Sequence, residues 1–96
     1  MQKTHIYYFK AASGEADFVV CRGRTVLQII QVSYDISNLK TLKREIKGLL
    51  VASKATGCNN LLLLTDHEDT NLTESGKDIR VMPTYAWLTE PQPELG

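Results

Sequence analysis

The sequence has no surplus of charge. Eleven Lys and Arg stand against eleven Asp and Glu, so net charge gives no support to a general polyanion binder. It has no long hydrophobic run either. Nothing approaches the roughly 18 apolar residues of a membrane span, so no membrane partner is expected. The opening residues, Met1-Gln2-Lys3-Thr4-His5, lead into Tyr and Phe without the apolar stretch of a signal peptide. Cysteine is scarce. Cys21 and Cys58 are too widely spaced for a metal-ligand pair and too few for a disulfide framework. Both read as reduced thiols of a cytosolic protein. No Gly-rich phosphate loop with a following Lys is present, which places nucleotide hydrolysis outside this chain. Neither cysteine has a His at a spacing that would suggest thiol nucleophilic chemistry.

What is present suits one globular domain. The apolar fraction is 43% over 96 residues, enough to build a core. One domain is expected over residues 1–90, with the Pro-containing residues 91–96 as a disordered tail. The most ordered stretch is Val26-Leu27-Gln28-Ile29-Ile30-Gln31-Val32-Ser33-Tyr34, rich in β-formers and preceded by the turn Arg22-Gly23-Arg24. Alternation puts Leu27, Ile29, Gln31 and Ser33 on one face and Gln28, Ile30, Val32 and Tyr34 on the other. Both faces are largely apolar, which predicts cover on both sides. Shorter strands precede it at His5–Lys10 and Glu15–Cys21, separated by the turn-prone Ala11-Ala12-Ser13-Gly14. Connections this short make the three an antiparallel meander.

The period then changes. Leu39, Leu42, Ile46, Leu49 and Leu50, with Ala52 and Ala55 beyond, fall at helical spacing. Ser37 or Asn38 is placed to cap the start and Gly57 to stop the end. The run Asn59–Thr65 follows as a buried strand. Strand, helix and strand form a βαβ crossover with the two strands parallel. Residues Asp66 through Lys77 read as a polar, acidic loop. A last strand, Asp78–Met82, is followed at Pro83 by a helical turn containing Trp87, expected to pack. The fold class is therefore α/β: a three-stranded antiparallel meander, then a βαβ crossover, in one mixed sheet.

Two clusters of charge oppose each other. Lys40 to Lys54 contains five basic residues and one acid; Asp66 to Asp78 contains five acids and one Lys. Lys40, Lys43, Arg44 and Lys47 are candidates for phosphate contact, set against the plainer reading of a solvated helix face that also carries Glu45. Asp66-His67-Glu68-Asp69 gathers metal-ligand types, but without the Gly and terminal Glu of a calcium loop it reads as a solvated turn. No metal is expected, and no cofactor. One constellation has mechanical content. Metal-dependent phosphodiester cleavage needs carboxylates to hold Mg²⁺ and a Lys near the attacking water. An acid on the second strand and a Glu-x-Lys on the third would supply them. The acid is present at Asp17, but the pair positions hold Gln31 and Ser33.

These residues carry a resemblance. Gly14-Glu15-Ala16-Asp17-Phe18-Val19-Val20, Leu27 through Tyr34, Lys43-Arg44-Glu45-Ile46 with Leu49-Leu50, Cys58-Asn59-Asn60-Leu61, and Val81-Met82-Pro83 with Trp87-Leu88 occur in that order. Together they resemble the C-terminal domain, long labelled as of unknown function, of a large prokaryotic family of AAA-type ATP-binding proteins. The resemblance covers His5 to Leu88. It implies a PD-(D/E)XK restriction-endonuclease-like core whose first helix is missing here, and a place within a longer, cytoplasmic ATP-binding protein. It puts the nuclease positions on Asp17, Gln31 and Ser33. A neutral Gln31 and a Ser33 without a cation make that site degenerate. The leading expectation is a non-catalytic accessory domain that binds nucleic acid or a protein partner. One alternative is a metal-dependent nuclease completed from elsewhere, using Mg²⁺ with Asp17 and Glu15, although Glu15 faces away from Asp17 on a regular strand. The other is an interaction or dimerisation domain working through a sheet edge.

Overall fold

The computed structural model describes the backbone of residues 4–10 and 16–89, and side chains from Phe18 to Thr89. The expected turn at Ala11–Gly14, residue Glu15, the side chain of Asp17 and the tail 91–96 lie outside the described residues. The elements are β1 (Thr4–Lys10), β2 (Ala16–Arg22), β3 (Thr25–Val32), α1 (Leu39–Thr56), β4 (Leu61–Thr65), β5 (Thr70–Glu74), β6 (Lys77–Pro83) and α2 (Thr84–Thr89). All strands join one six-stranded sheet in the order β1-β2-β3-β4-β6-β5.

The first three strands form the expected antiparallel meander. The β2–β3 turn is two residues long. Gly23 takes φ 60°, at the position where a type II′ hairpin favours glycine. β3 then pairs in parallel with β4, and α1 makes the crossover between them. β4 is buried along its whole length, as a strand with parallel neighbours on both sides should be. β6 lies parallel to β4, and β5 pairs with β6 antiparallel. The last strand is thus inserted between β4 and β5. Ser75 and Gly76 close the β5–β6 hairpin with φ 52° and 76°, the two positive values a type I′ turn requires.

The helix ends have physical causes. Asn38 is extended and its Oδ1 accepts from the N–H of Lys40 at 2.9 Å and of Thr41 at 3.3 Å, so Asn38 rather than Ser37 is the cap. Gly57 adopts φ 77° and donates its N–H to Ser53 O at 2.8 Å, satisfying a carbonyl that the helix leaves open.

The core has two layers divided by the sheet. On one face Ile29, Leu61, Leu63, Ile79 and Val81 pack against Leu49 and Ala52 of α1. On the other Val20, Ile30, Leu62, Leu64 and Met82 pack with Trp87 and Ala86 of α2. Ile29, Leu49, Leu63 and Ile79 are fully buried, and each contributes about 2 kcal/mol by leaving water.

Four expectations need correction. The central strand was expected over Val26–Tyr34; it runs over Thr25–Val32. The chain turns there towards α1, and only backbone bonds continue, from Ser33 N to Leu64 O and from Asp66 N to Tyr34 O. Leu27 does not share a face with Ile29. Val20 lies opposite Gln28 but Cys21 lies opposite Val26, so Leu27 is the extra residue of a bulge. The parity of β3 changes there: Val26 joins the α1 layer and Leu27 the α2 layer. The acidic stretch Asp66 to Lys77 is not all loop, because Thr70–Glu74 is the edge strand β5. Cover is also unequal. The eighteen residues of α1 lie on one face, whereas the other receives only the six of α2, leaving Phe18 37% and Val32 50% exposed.

Candidate functional site

β3 carries Gln31 between Ile30 and Val32 on the strand that pairs with β4, opposite Leu63. With the parity set by Ile29, its side chain enters the α1 layer, where it is 2% exposed. There its Nε2 donates to Oε2 of Glu45, one of the buried residues of α1. A buried amide beside a buried carboxylate is a high-stakes pair, because each desolvated group relies on the other. The other Glu45 oxygen lies 3.4 Å from Arg44 Nη2, a long contact to a guanidinium that is mostly in solvent. Gln31 Oε1 is buried with no hydrogen-bond partner among the described residues.

Of the three residues expected to form the degenerate nuclease site, Gln31 and Ser33 have described side chains, and of these two Gln31 is the interior one. Gln31 is buried. Ser33 lies past the strand end, half-buried, held through its backbone to β4. Asp17 belongs to β2, with its backbone opposite Phe9. Phe18 pairs with Ile30, so the Asp17 and Gln31 backbones are next in line on neighbouring strands. The Asp17 side chain is outside the described residues.

Glu45 is the residue that sequence reasoning misplaced. It was assigned to the exposed charged face of the helix; it is 3% exposed on the inner face. The signal existed. Leu42, Glu45, Leu49 and Ala52 are spaced by three, four and three residues, which is one helix face. A carboxylate in that series called for a buried partner, and Gln31 is the partner.

A Mg²⁺ site does not fit the described residues. The cluster offers one carboxylate, and the amide of Gln31 turns its N–H end towards it, occupying an oxygen the ion would need. No group of three or more His, Cys, Asp or Glu able to hold a metal occurs among the described residues.

With Glu45 turned inward, α1 presents Lys40, Lys43, Arg44, Lys47 and Lys54 outward, all exposed, and no acid. Ahead of the helix, Asp35 Oδ1 accepts the Ser37 N–H at 2.9 Å. That backbone bond, then a bond from the Ser37 side chain, and more weakly the nearby His67, hold the Asp35 carboxyl below its ordinary range. His67 itself sits between Asp66 and Glu68, 3.3 Å from each. On the opposite sheet face Phe18, Ile30, Val32, Leu64 and Trp87 line an apolar groove of about 300 Å³.

Comparison of the chain with protein-family models, curated proteins and solved structures finds no match. Among the described residues no helix is long and apolar enough to cross a membrane.

Proposed function

We propose that this chain is a non-catalytic, restriction-endonuclease-like accessory domain of a longer ATP-binding protein, and that it binds nucleic acid through the outer face of α1. The observation that supports this most is the sorting of charge on that helix. Every charged residue α1 exposes is basic, and its one acid is turned inward. A chain of zero net charge thereby acquires a local cationic stripe, which attracts phosphates whatever the overall balance. The neutral Gln31 and the displaced Ser33 support the loss of cleavage.

Four or five phosphate contacts would give a salt dependence of roughly −0.9 per contact in log K against log salt for duplex DNA. The test is fluorescence anisotropy with labelled DNA at rising salt, on the protein and on the triple variant Lys40→Glu, Lys43→Glu, Lys47→Glu. Binding that weakens steeply with salt and falls more than about tenfold in the variant supports the reading. No binding at low salt, or equal binding by the variant, rejects it. A second reading, contact with a protein partner such as the rest of the longer chain, is favoured by the half-covered apolar groove around Val32.

A further inference from the structure

The sheet ends in two unlike edges, β5 on one side and β1 on the other. β5 is short and polar. Its five residues, Thr70 to Glu74, include one apolar side chain, Leu72. Arg80 braces its start, with Nη1 donating to Thr70 O at 2.9 Å and Nη2 2.7 Å from Asp69. Short length and charge are the usual guards of a strand edge. β1 is seven residues long, Thr4-His5-Ile6-Tyr7-Tyr8-Phe9-Lys10, with no Pro and no acid, and its one Lys is the last residue. Its register with β2 runs without a shift from Thr4 opposite Arg22 to Lys10 opposite Ala16, so no bulge turns the edge away. Among the described residues no strand pairs with its outer side.

The register also carries apolar positions to this edge. Ile6 lies opposite Val20, and Tyr8 opposite Phe18. Val20 belongs to the layer that α2 covers in part, and Phe18 is left 37% exposed. The under-covered face of the sheet therefore continues to β1.

We propose that β1 pairs antiparallel with β1 of a second copy of this chain, about a two-fold axis between the two Tyr7 positions. This register sets Thr4 opposite Lys10, His5 opposite Phe9, Ile6 opposite Tyr8, and Tyr7 opposite Tyr7. It is the symmetric register that uses the whole strand, and it places no like charges opposite each other. A shift by one residue leaves an end residue unpaired, and in one direction sets His5 against Lys10. Aromatic pairs and aromatic–β-branched pairs across strands are favourable ones. Ile6 and Tyr8 fall on the face of Phe18, so an apolar band crosses the junction. Opposite residues share a face, so both α1 helices lie on one side of the joined sheet. The two-fold closes the assembly, whereas β1 against β5 of the next copy would be head-to-tail and could run on as a filament. This pairing is independent of what α1 binds.

The test is sedimentation equilibrium of the full chain over a concentration series, with the variants Tyr7→Lys, Tyr7→Glu and, on the other edge, Asn71→Lys. Circular dichroism checks that each variant folds. The expected result is a dimer for the unaltered chain and for Asn71→Lys. Tyr7→Lys and Tyr7→Glu each set like charges across the two-fold and should weaken the dimer by about tenfold or more. Mixed together they should form a heterodimer, because opposite charges then face each other. A monomer at all concentrations up to about 1 mM overturns the pairing. So does a dimer that Asn71→Lys breaks and the Tyr7 variants leave intact. A second measurement tests the register with a gentler change. Tyr7→Cys should form an intermolecular disulfide on mild oxidation, since directly opposite positions are within disulfide reach. His5→Cys should not, because its two copies lie about 14 Å apart along the strands. Cys21 and Cys58 are buried. Equal cross-linking of the two variants, or none, overturns the proposed register.

Discussion

Gln31 Nε2 donates its hydrogen bond to Glu45 Oε2 across the interface between the central strand and the long helix. A buried amide of the central strand is thereby joined to a carboxylate from the helix layer packed on it. That pair helps set where α1 sits on the sheet.

Removing one partner should cost more than removing both. Glu45→Ala leaves the Gln31 amide with both polar ends unpartnered in the interior. The expected loss is about 2–3 kcal/mol of unfolding free energy. The double change Gln31→Leu with Glu45→Leu should be near neutral or stabilising, since apolar groups of similar volume replace a costly pair. Urea unfolding at neutral pH measures both. A single-variant loss below about 0.5 kcal/mol, the ordinary surface effect, would mean the pair is not holding the layers together.

A second, half-buried polar link ties the end of α1 to the β5–β6 hairpin. Lys77 Nζ donates to Ser53 Oγ at 2.6 Å, and Ser53 Oγ donates to Asn59 Oδ1 at 3.1 Å. Ser53 is fully buried. Ser53→Ala should cost about 1–3 kcal/mol by leaving the ammonium without its acceptor. Lys77→Met removes the charge and should cost less. Thermal melts of the two variants, compared side by side, decide the order.

Acid should act through Asp35. Its carboxyl is held below the ordinary range in the folded chain, chiefly by the Ser37 N–H. A depressed folded value means the carboxylate form is favoured by folding. The contribution is present above the unfolded value near 3.8 and is lost as pH falls through the folded one. Asp35→Asn should flatten this part of the acid limb of a stability-against-pH curve and leave the curve near neutrality with the same slope. An unchanged acid limb would contradict it.

Alkali and thiol reagents should act through Cys21. Burial, and secondarily the nearby Cys58, push its thiol above 9.0. Stability from the neutral thiol is complete below the unfolded value and is lost as pH rises through the folded one. Both cysteines are buried and free. At pH 8 both should react slowly with Ellman's reagent in the folded protein and rapidly in denaturant. Rapid reaction of either thiol while folded would refute the burial.

Much of the architecture was legible because its signals are local. Val26 to Val32 is β-branched and aliphatic, Leu39 to Leu50 repeats at helical spacing, and Asn38 and Gly57 suit the two helix ends. What escaped depends on partners. Thr70–Glu74 contains one apolar residue, Leu72, and becomes a strand because β6 lies beside it. The bulge at Leu27 needs the register with β2 to be seen. Glu45 was misread because its charge outweighed its position in the Leu42–Leu49–Ala52 series. The candidate site was legible in part: Gln31 was singled out as a polar residue in an apolar strand, but its partner lies fourteen residues away.

The insertion of β6 between β4 and β5 also sets an order of assembly. The β5–β6 hairpin closes through a two-residue turn, a local event that takes microseconds. Its docking along β4 is non-local and slower. Until then Leu61-Leu62-Leu63-Leu64 has one side of its backbone open, an apolar strand edge of the kind that recruits other chains. A polypeptide cut after Asp69 would keep that edge permanently. It should precipitate rather than remain as a smaller folded unit, which makes the polar hairpin at the end of the sheet an intramolecular guard against self-association.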